Sequence, residues 1–202
     1  MIHTVPIGSL ERLLETLDLR RPLAAAHSRR VAAYARQLAV TVGLAADERT
    51  TLVDAALVHE AGALVGAVGQ SATDLPGFET WCGLSEDVAD VLWYVSRRFE
   101  HYRHAPLGAR LLAVAHAFDE LTATREYQVP MRPDSARMAI ARDAGRRFCP
   151  IAVNALMAGR LESFDGSPVS GARMAMPDAP VRLAPTEELV PYVRDQRLVT
   201  SA

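Results

Sequence analysis

A histidine and a glutamate stand side by side at His59 and Glu60, inside the otherwise apolar run AALVHEAGALVG (residues 55–66). Burying an ionised carboxylate among apolar side chains is costly unless a cation, a proton or hydrogen bonds compensate it. Imidazole and carboxylate groups are also good ligands for iron, manganese, nickel and zinc. The pair therefore allows two interpretations: a metal ligand pair, or ordinary helical residues with hydrogen-bond partners of their own.

The elements that must position this pair are helices, because apolar residues recur at helical spacing and no stretch alternates as a half-buried strand does. The pattern predicts helices over about residues 8–19, 22–42, 46–64, 85–99, 106–123, 133–147 and 150–159. Pro22 suits a first helical turn and Gly43 a helix end. Ser85 suits an N-cap. The predicted fold class is all-α, a single-domain helical bundle.

The last forty residues differ in composition from the rest of the chain. Five prolines punctuate this stretch, at positions 168, 177, 180, 185 and 191. Proline interrupts helices and central strands, so an extended or partly ordered tail is expected over residues 163–202. The helical domain is then expected to occupy residues 1–162, a length that suits one ordinary domain.

Composition excludes some classes of function. The net charge is −2 with no dense basic stripe, so a nucleic-acid surface is not indicated. No apolar run approaches the ~18 residues that span a bilayer, and the first residues do not resemble a secretory signal. Cys82 and Cys149 are far apart and form no CxxC pair. A cytoplasmic protein with reduced thiols and no membrane partner is expected.

Several segments of the chain resemble the HD superfamily of phosphohydrolases, most closely its HD-GYP branch. They are HSRRVAAYARQLAVTVGL (27–44), AALVHEAGAL (55–64), PLGARLLAVAHAFDELTATREY (106–127) and AGRRFCPIAVNALM (144–157). The resemblance covers roughly residues 10–160 and is most specific over 106–127. It implies a helical bundle that carries metal ions on facing helices. It also implies phosphoester hydrolysis, with cyclic di-GMP as the substrate of this branch.

The resemblance also implies a set of metal ligands. The family's ligand positions fall on His27, on the pair His59 and Glu60, and on His116, which stands where the family has an aspartate. These residues could close a shell around one divalent transition-metal ion, namely iron, manganese, nickel or zinc. Asp119 is expected to contact a ligand histidine from outside the metal shell and so to orient its ring. The alternative is that each histidine is a hydrogen-bonded core residue.

Three further residues match phosphate-binding or ligand-binding parts of the family. Arg30 lies one helical step from His27, and its guanidinium suits phosphate oxygens. Arg125 and Tyr127 match the family's RPY region. A structural ion pair and a packed ring are the alternative interpretation of these side chains.

Other positions depart from the pattern of the family. The residue six before His27, often acidic in this branch, is Arg21, and Ala63 replaces the lysine of HDxGK. All 22 residues counted together as lysine plus arginine are arginine. The chain therefore has no lysine that could take the place of the lysine in HDxGK. A family helix with a further ligand histidine is expected to be missing from residues 65–83.

The segment that names the branch, HHExxDGxGYP, is replaced by SRRFEHYRHA at residues 96–105. Only Glu100, His101 and His104 could act as metal ligands there, and their register differs from that of the family segment. Multi-metal hydrolysis needs bridging carboxylates and further histidines to generate hydroxide and clamp the phosphate. Hydrolysis of cyclic di-GMP is therefore not expected.

Two hypotheses about function remain, with a DNA-binding regulator ranked below both. The first is a divergent HD-GYP-like module that binds an unidentified small molecule or protein partner in signalling or regulation. The second is a metal-dependent enzyme, of phosphohydrolase or mononuclear-metal oxygenase type, that uses the His/His/Glu/His site. A homodimer is compatible with either hypothesis.

Overall fold

A computed structural model describes residues 10–61, 85–124, 129–159 and 161 of the chain. Within these ranges it contains seven helices and no strand, so the all-α prediction is confirmed. The helices are α1 (Leu10–Arg20), α2 (Ala24–Thr41), α3 (Ala46–Val58), α4 (Glu86–Val95), α5 (Leu107–Thr122), α6 (Pro133–Ala141) and α7 (Pro150–Ala158). None of these helices is both long and apolar enough to cross a membrane. Residues 65–83, where a family helix is expected to be missing, and the predicted tail at 163–202 lie outside the described residues.

Helix α5 forms the centre of the bundle. Side chains on nearly all of its faces are buried, and it contacts α2, α3, α4, α6 and α7. Tyr34 of α2 packs edge-to-face on Phe118 of α5, with ring centroids 5.2 Å apart and both side chains fully buried. Such an aromatic pair stabilises the fold beyond the apolar area it buries. It fixes α2 against α5, the two helices that carry His27 and His116.

Two helix ends follow the capping signals in the sequence. Gly43 lies just past α2 with φ 72°, and the N–H of Leu44 bonds the carbonyl of Ala39 at 2.9 Å. This is the Schellman arrangement that glycine favours at a helix end. Ser85 caps α4, since its hydroxyl accepts the N–H of Val88 at 3.3 Å. Both predictions are confirmed.

The turn between α1 and α2 is tighter than predicted. Pro22 precedes α2 instead of entering its first turn, and Leu23 takes the N-cap position with φ 71°. The carboxylate of Asp18 accepts the N–H of Ala25 at 2.8 Å and satisfies one backbone donor at the start of α2. A leucine in the left-handed region carries backbone strain, which the surrounding turn must hold.

Three helices end earlier than predicted, at Val58, Val95 and Ala141 instead of about residues 64, 99 and 147. Beyond α4 and α6, the loops bond to each other instead of continuing the helices. The N–H of Phe99 bonds the carbonyl of Arg147 at 3.1 Å, and that of Glu100 bonds Arg146 at 2.8 Å. Gly145 turns the second loop with φ 81°. Apolar spacing alone does not reveal such long-range backbone pairing.

Candidate metal centre

Four potential ligands meet on one side of α5. His27 comes from α2 and His116 from α5, while His59 and Glu60 directly follow α3. Each offers a ligand atom, and these atoms all lie within 4.8 Å of one another. They form the one group of this kind found among the described residues. The structure thus brings together the four residues that the resemblance indicated, and metal binding by them stays a prediction.

The sequence predicts that His59 lies inside a helix, but in the structure it forms the C-cap of α3. Its Nδ1 is 2.6 Å from the carbonyl of Ala56, so Nδ1 carries the proton and donates. That carbonyl belongs to the last turn, where carbonyls lack helical partners. Burial, reinforced by the nearby His27, lowers the pKa of His59 to about 4. At neutral pH the ring is therefore uncharged, and its Nε2 presents a lone pair.

His27 is oriented by a buried carboxylate. Its Nδ1 donates to Oδ2 of Asp119 at 2.6 Å, and the Asp119 side chain is only 1% exposed. Arg30, one turn further along α2, donates to the same carboxylate from Nε at 2.6 Å and from Nη2 at 3.0 Å. Burial by itself would raise the pKa of Asp119, but the hydrogen bonds from His27 and Arg30 outweigh it and hold the pKa below its usual value. The charged Asp119 holds Nδ1 of His27 and leaves Nε2 as the atom that could bind a metal.

Asp119 was expected to support a ligand histidine, and the histidine that it contacts is on α2 instead of its own helix. Arg30 was predicted to bind phosphate, and the structure gives it Asp119 as a partner. Its phosphate-binding role stays a prediction. Arg125 and Tyr127 lie outside the described residues.

The two Nε2 atoms of His27 and His59 face each other at 3.2 Å. Because Nδ1 of each ring donates to another partner, the two Nε2 atoms are the ones that can face a common ion. Two nitrogens bound to one tetrahedral ion at about 2.0–2.1 Å are separated by about 3.3 Å. Oε1 of Glu60 lies 3.8 Å from Nε2 of His27 and 3.9 Å from Nε2 of His59. The donor set therefore fits a transition-metal ion.

The second oxygen of Glu60 has another partner. Oε2 accepts a hydrogen bond from Nη1 of Arg21, in the turn between α1 and α2. The Glu60 side chain is 14% exposed and that of Arg21 is 54% exposed. The sequence marked Arg21 only as a departure from the family pattern. Its ion pair with Glu60 spans 39 residues and gives no local signal.

His116 is the most exposed of the four candidate ligands, at 27% of its side chain. Its ring centroid lies 5.2 Å from that of His27 and 5.0 Å from that of His59. Its Nδ1 lies 3.7 Å from Oε2 of Glu120, one turn along α5. The site is therefore closed by Asp119 on one side and more open toward His116.

The three donors of residues 96–105 have no place in this cluster. Glu100 accepts a hydrogen bond from Arg98 at 2.6 Å. Nε2 of His101 lies 3.7 Å from Glu100, and Nε2 of His104 lies 3.1 Å from the hydroxyl of Tyr94. Each group contacts a neighbour close in sequence.

Comparison with known proteins gives one weak similarity. No family model matches the chain. A 3′3′-cGAMP-specific phosphodiesterase of Vibrio cholerae serotype O1 is 26% identical over 174 residues, covering 72% of this chain. The chain spans only 33% of the length of that relative. This similarity supports a distant relationship to HD-domain phosphohydrolases and does not assign the chain to a family.

Proposed function

We propose that this protein is an HD-like domain that holds one divalent transition-metal ion and works as a ligand-binding or partner-binding regulatory module. His27, His59, Glu60 and His116 would hold the ion. The observation that carries the proposal is the convergence of four candidate ligand atoms within 4.8 Å, with Nδ1 of His27 and of His59 each donating to a partner outside the group. An ion at this point would be held by the two Nε2 atoms that face each other and by Oε1 of Glu60.

The donor set limits which metals suit the site. Three imidazole nitrogens and one carboxylate oxygen favour iron, manganese, nickel or zinc over magnesium or calcium, which prefer oxygen ligands. Glu60 offers one oxygen because Arg21 binds the other. Four protein donors complete the usual shell of structural zinc. A metal that takes six ligands would keep two positions for an external anion.

Residues behind the cluster would prepare it for binding. Asp119 and the carbonyl of Ala56 hold the protons of His27 and His59 away from the centre. The cluster needs no deprotonation of His59 at neutral pH, because burial keeps that ring uncharged. Such supporting contacts stabilise ligand orientation and raise ligand basicity. When bound, the ion would supply positive charge that attracts and polarises a phosphoryl oxygen.

Elemental analysis tests the proposal. The protein is purified without chelators and without metal-affinity resin, and its transition-metal content is measured per chain. We expect close to one equivalent in the wild type and none in His59→Ala. A wild type without bound metal that also fails to take up iron, manganese, nickel or zinc would overturn the proposal.

Hydrolysis of cyclic di-GMP is not part of the proposed function. The chain has no lysine, and Glu100, His101 and His104 contact local partners in place of the cluster. We expect no turnover of cyclic di-GMP above a metal-only control when manganese or iron is added. Product formation that depends on both protein and His59 would contradict this expectation.

A second candidate is a metal-dependent phosphodiesterase, favoured by the similarity to the 3′3′-cGAMP phosphodiesterase. The same metal-loaded protein is incubated with 3′3′-cGAMP, and release of linear product is followed by chromatography. Turnover that is absent from His59→Ala and present in His104→Ala would favour the enzyme. Binding of the intact dinucleotide without product would favour the regulatory module.

A further inference from the structure

We propose that the guanidinium of Arg21 occupies the position of a second cation on Glu60 and thereby limits the centre to one metal ion. This inference rests on the proposed metal binding. It assigns Arg21 as a positioning residue, which acts through Glu60 and does not itself bind the ion.

The first support is that the two oxygens of Glu60 have different partners. Oε1 lies within 3.9 Å of the Nε2 atoms of His27 and His59, whereas Oε2 accepts a hydrogen bond from Arg21. A carboxylate can bridge two metal ions by giving one oxygen to each, as in two-metal centres. Here Oε1 of Glu60 faces the histidines, and Oε2 faces the guanidinium of Arg21, which stays charged at any ordinary pH.

The second support is that the main chain of Arg21 is fixed. Its N–H bonds the carbonyl of Leu17 at 2.8 Å, and its carbonyl accepts the N–H of Ala24 at 3.1 Å. Leu23 holds the left-handed conformation that this short turn requires, with φ 71°. Strain of this kind persists where the surrounding structure over-determines it, and it is concentrated at functional sites. The turn therefore fixes the main chain of Arg21, and the ion pair with Oε2 of Glu60 places its guanidinium beside that oxygen.

The third support is the local balance of charge. Glu60 pairs with Arg21, and Asp119 pairs with Arg30, so each carboxylate already has a cationic partner. The three imidazoles add donors without adding negative charge when they are neutral. One divalent ion among them is favourable because it is surrounded by lone pairs and Oε1. A second ion near Oε2 would meet the charge of Arg21 and be repelled.

The experiment counts bound ions in full-length variants. Wild type, Arg21→Ala, Arg21→Gln, Arg21→Lys and Arg36→Ala are titrated with Mn²⁺, and the ratio of metal to chain is read by native mass spectrometry. Electron paramagnetic resonance then distinguishes isolated Mn²⁺ from spin-coupled pairs. Arg36 is the matched control, because it is an exposed arginine on α2. Circular dichroism verifies that each variant is folded.

We expect one ion per chain in wild type, Arg21→Lys and Arg36→Ala, since each keeps a cation at position 21. Arg21→Ala and Arg21→Gln should take a second ion and show a coupled signal. If both variants stay at one ion, or if the wild type binds two, the role of Arg21 is overturned while metal binding stands. A wild type that binds no metal overturns the proposed function as well.

Discussion

Two histidine-bearing regions of the molecule use the same residue types in opposite ways. In the metal-capable cluster of His27, His59, Glu60 and His116, the donors come from three separate segments and meet at one point. In the loop of residues 96–106, the imidazole and carboxylate groups contact partners at most ten residues away. The first region thus concentrates donors, and the second disperses them.

Aromatic packing explains the second region. The guanidinium of Arg97 lies 3.7 Å from the ring centroid of Trp93. Tyr94 and Tyr102 pack edge-to-face on the same indole at 4.6 and 5.7 Å. His104 bonds the hydroxyl of Tyr94 at 3.1 Å. These contacts engage the side chains of Arg97 and His104 locally. Trp93, Tyr94, Arg97, Tyr102 and His104 therefore form an aromatic–arginine cluster that is separate from the candidate metal centre.

The difference teaches that ligand-type residues are not sufficient for a metal site. His27 and His59 are suited because a carboxylate and a carbonyl hold their Nδ1 protons, which leaves both Nε2 atoms facing inward. The imidazole of His104 contacts a phenol, and that of His101 is 67% exposed beside Glu100. Supporting contacts decide which imidazoles can bind metal.

The largest expected effect is on metal affinity, and it should appear for a substitution in the first region but not for one in the second. His59→Ala removes one of the proposed ligands, so we expect metal affinity to fall by more than about 100-fold, beyond the usual effect of a supporting residue. His104→Ala is the matched control and should change affinity by less than about twofold, because its ring bonds Tyr94. Titration calorimetry measures both.

The same pair of variants can be compared by thermal unfolding. Saturating metal stabilises a protein that binds it by about 2.7 kcal/mol at 100 times the dissociation constant. Addition of a chelator should therefore lower the Tm of wild type and of His104→Ala but not that of His59→Ala. Equal chelator sensitivity in all three proteins would contradict the assignment of His59.

A smaller effect on metal affinity is expected from Asp119, which bonds His27 from outside the cluster. Asp119→Asn keeps the shape of the side chain but weakens the bonds from His27 and Arg30, so we expect metal affinity to fall about 10–100-fold. It should also reduce the free energy of unfolding by about 1–3 kcal/mol, since it leaves a largely buried Arg30 poorly paired. Calorimetry and urea unfolding measure the two quantities.

Asp134→Asn provides the matched control for that variant. Asp134 pairs with Arg137 on α6, and its side chain is 89% exposed. Exposed pairs contribute about 0–1 kcal/mol, so little change in stability and none in metal affinity are expected. An Asp119→Asn protein that binds metal as tightly as Asp134→Asn would show that Asp119 has a purely structural role.

A still smaller effect is expected in the aromatic–arginine cluster. Arg97→Ala removes the cation over Trp93, whose side chain is partly exposed, and should lower the free energy of unfolding by about 0.5–1 kcal/mol. Metal affinity should stay unchanged, because the loop does not reach the cluster of ligands. Loss of metal in this variant would mean that the two regions are coupled.

The smallest effect is expected in the turn that presents Arg21. Leu23→Gly removes a left-handed penalty of about 1–2 kcal/mol, but glycine costs about 0.5–1 kcal/mol through the unfolded chain. Leu23 is 70% exposed, so little apolar burial is lost. We expect a net gain of about 0.5 kcal/mol by urea unfolding. Gly43→Ala, at φ 72°, should do the opposite.

The sequence by itself determined the helices and several of their ends. Apolar spacing predicted every described helix, and Gly43 and Ser85 marked boundaries that the structure confirms. These features depend on residues within one or two turns of each other, so local physical chemistry is enough to fix them. The ligand set came from the resemblance, since neither spacing nor composition relates residues 27, 59 and 116.

Only the tertiary structure decided what each polar group contacts. The bond from His27 to Asp119 spans 92 residues, that from Arg30 to Asp119 spans 89, and that from Arg21 to Glu60 spans 39. The early ends of α4 and α6 likewise depend on backbone bonds between distant loops. Such contacts depend on how helices pack against one another. A one-dimensional pattern records which residues can donate or accept, and the packed bundle selects the partner.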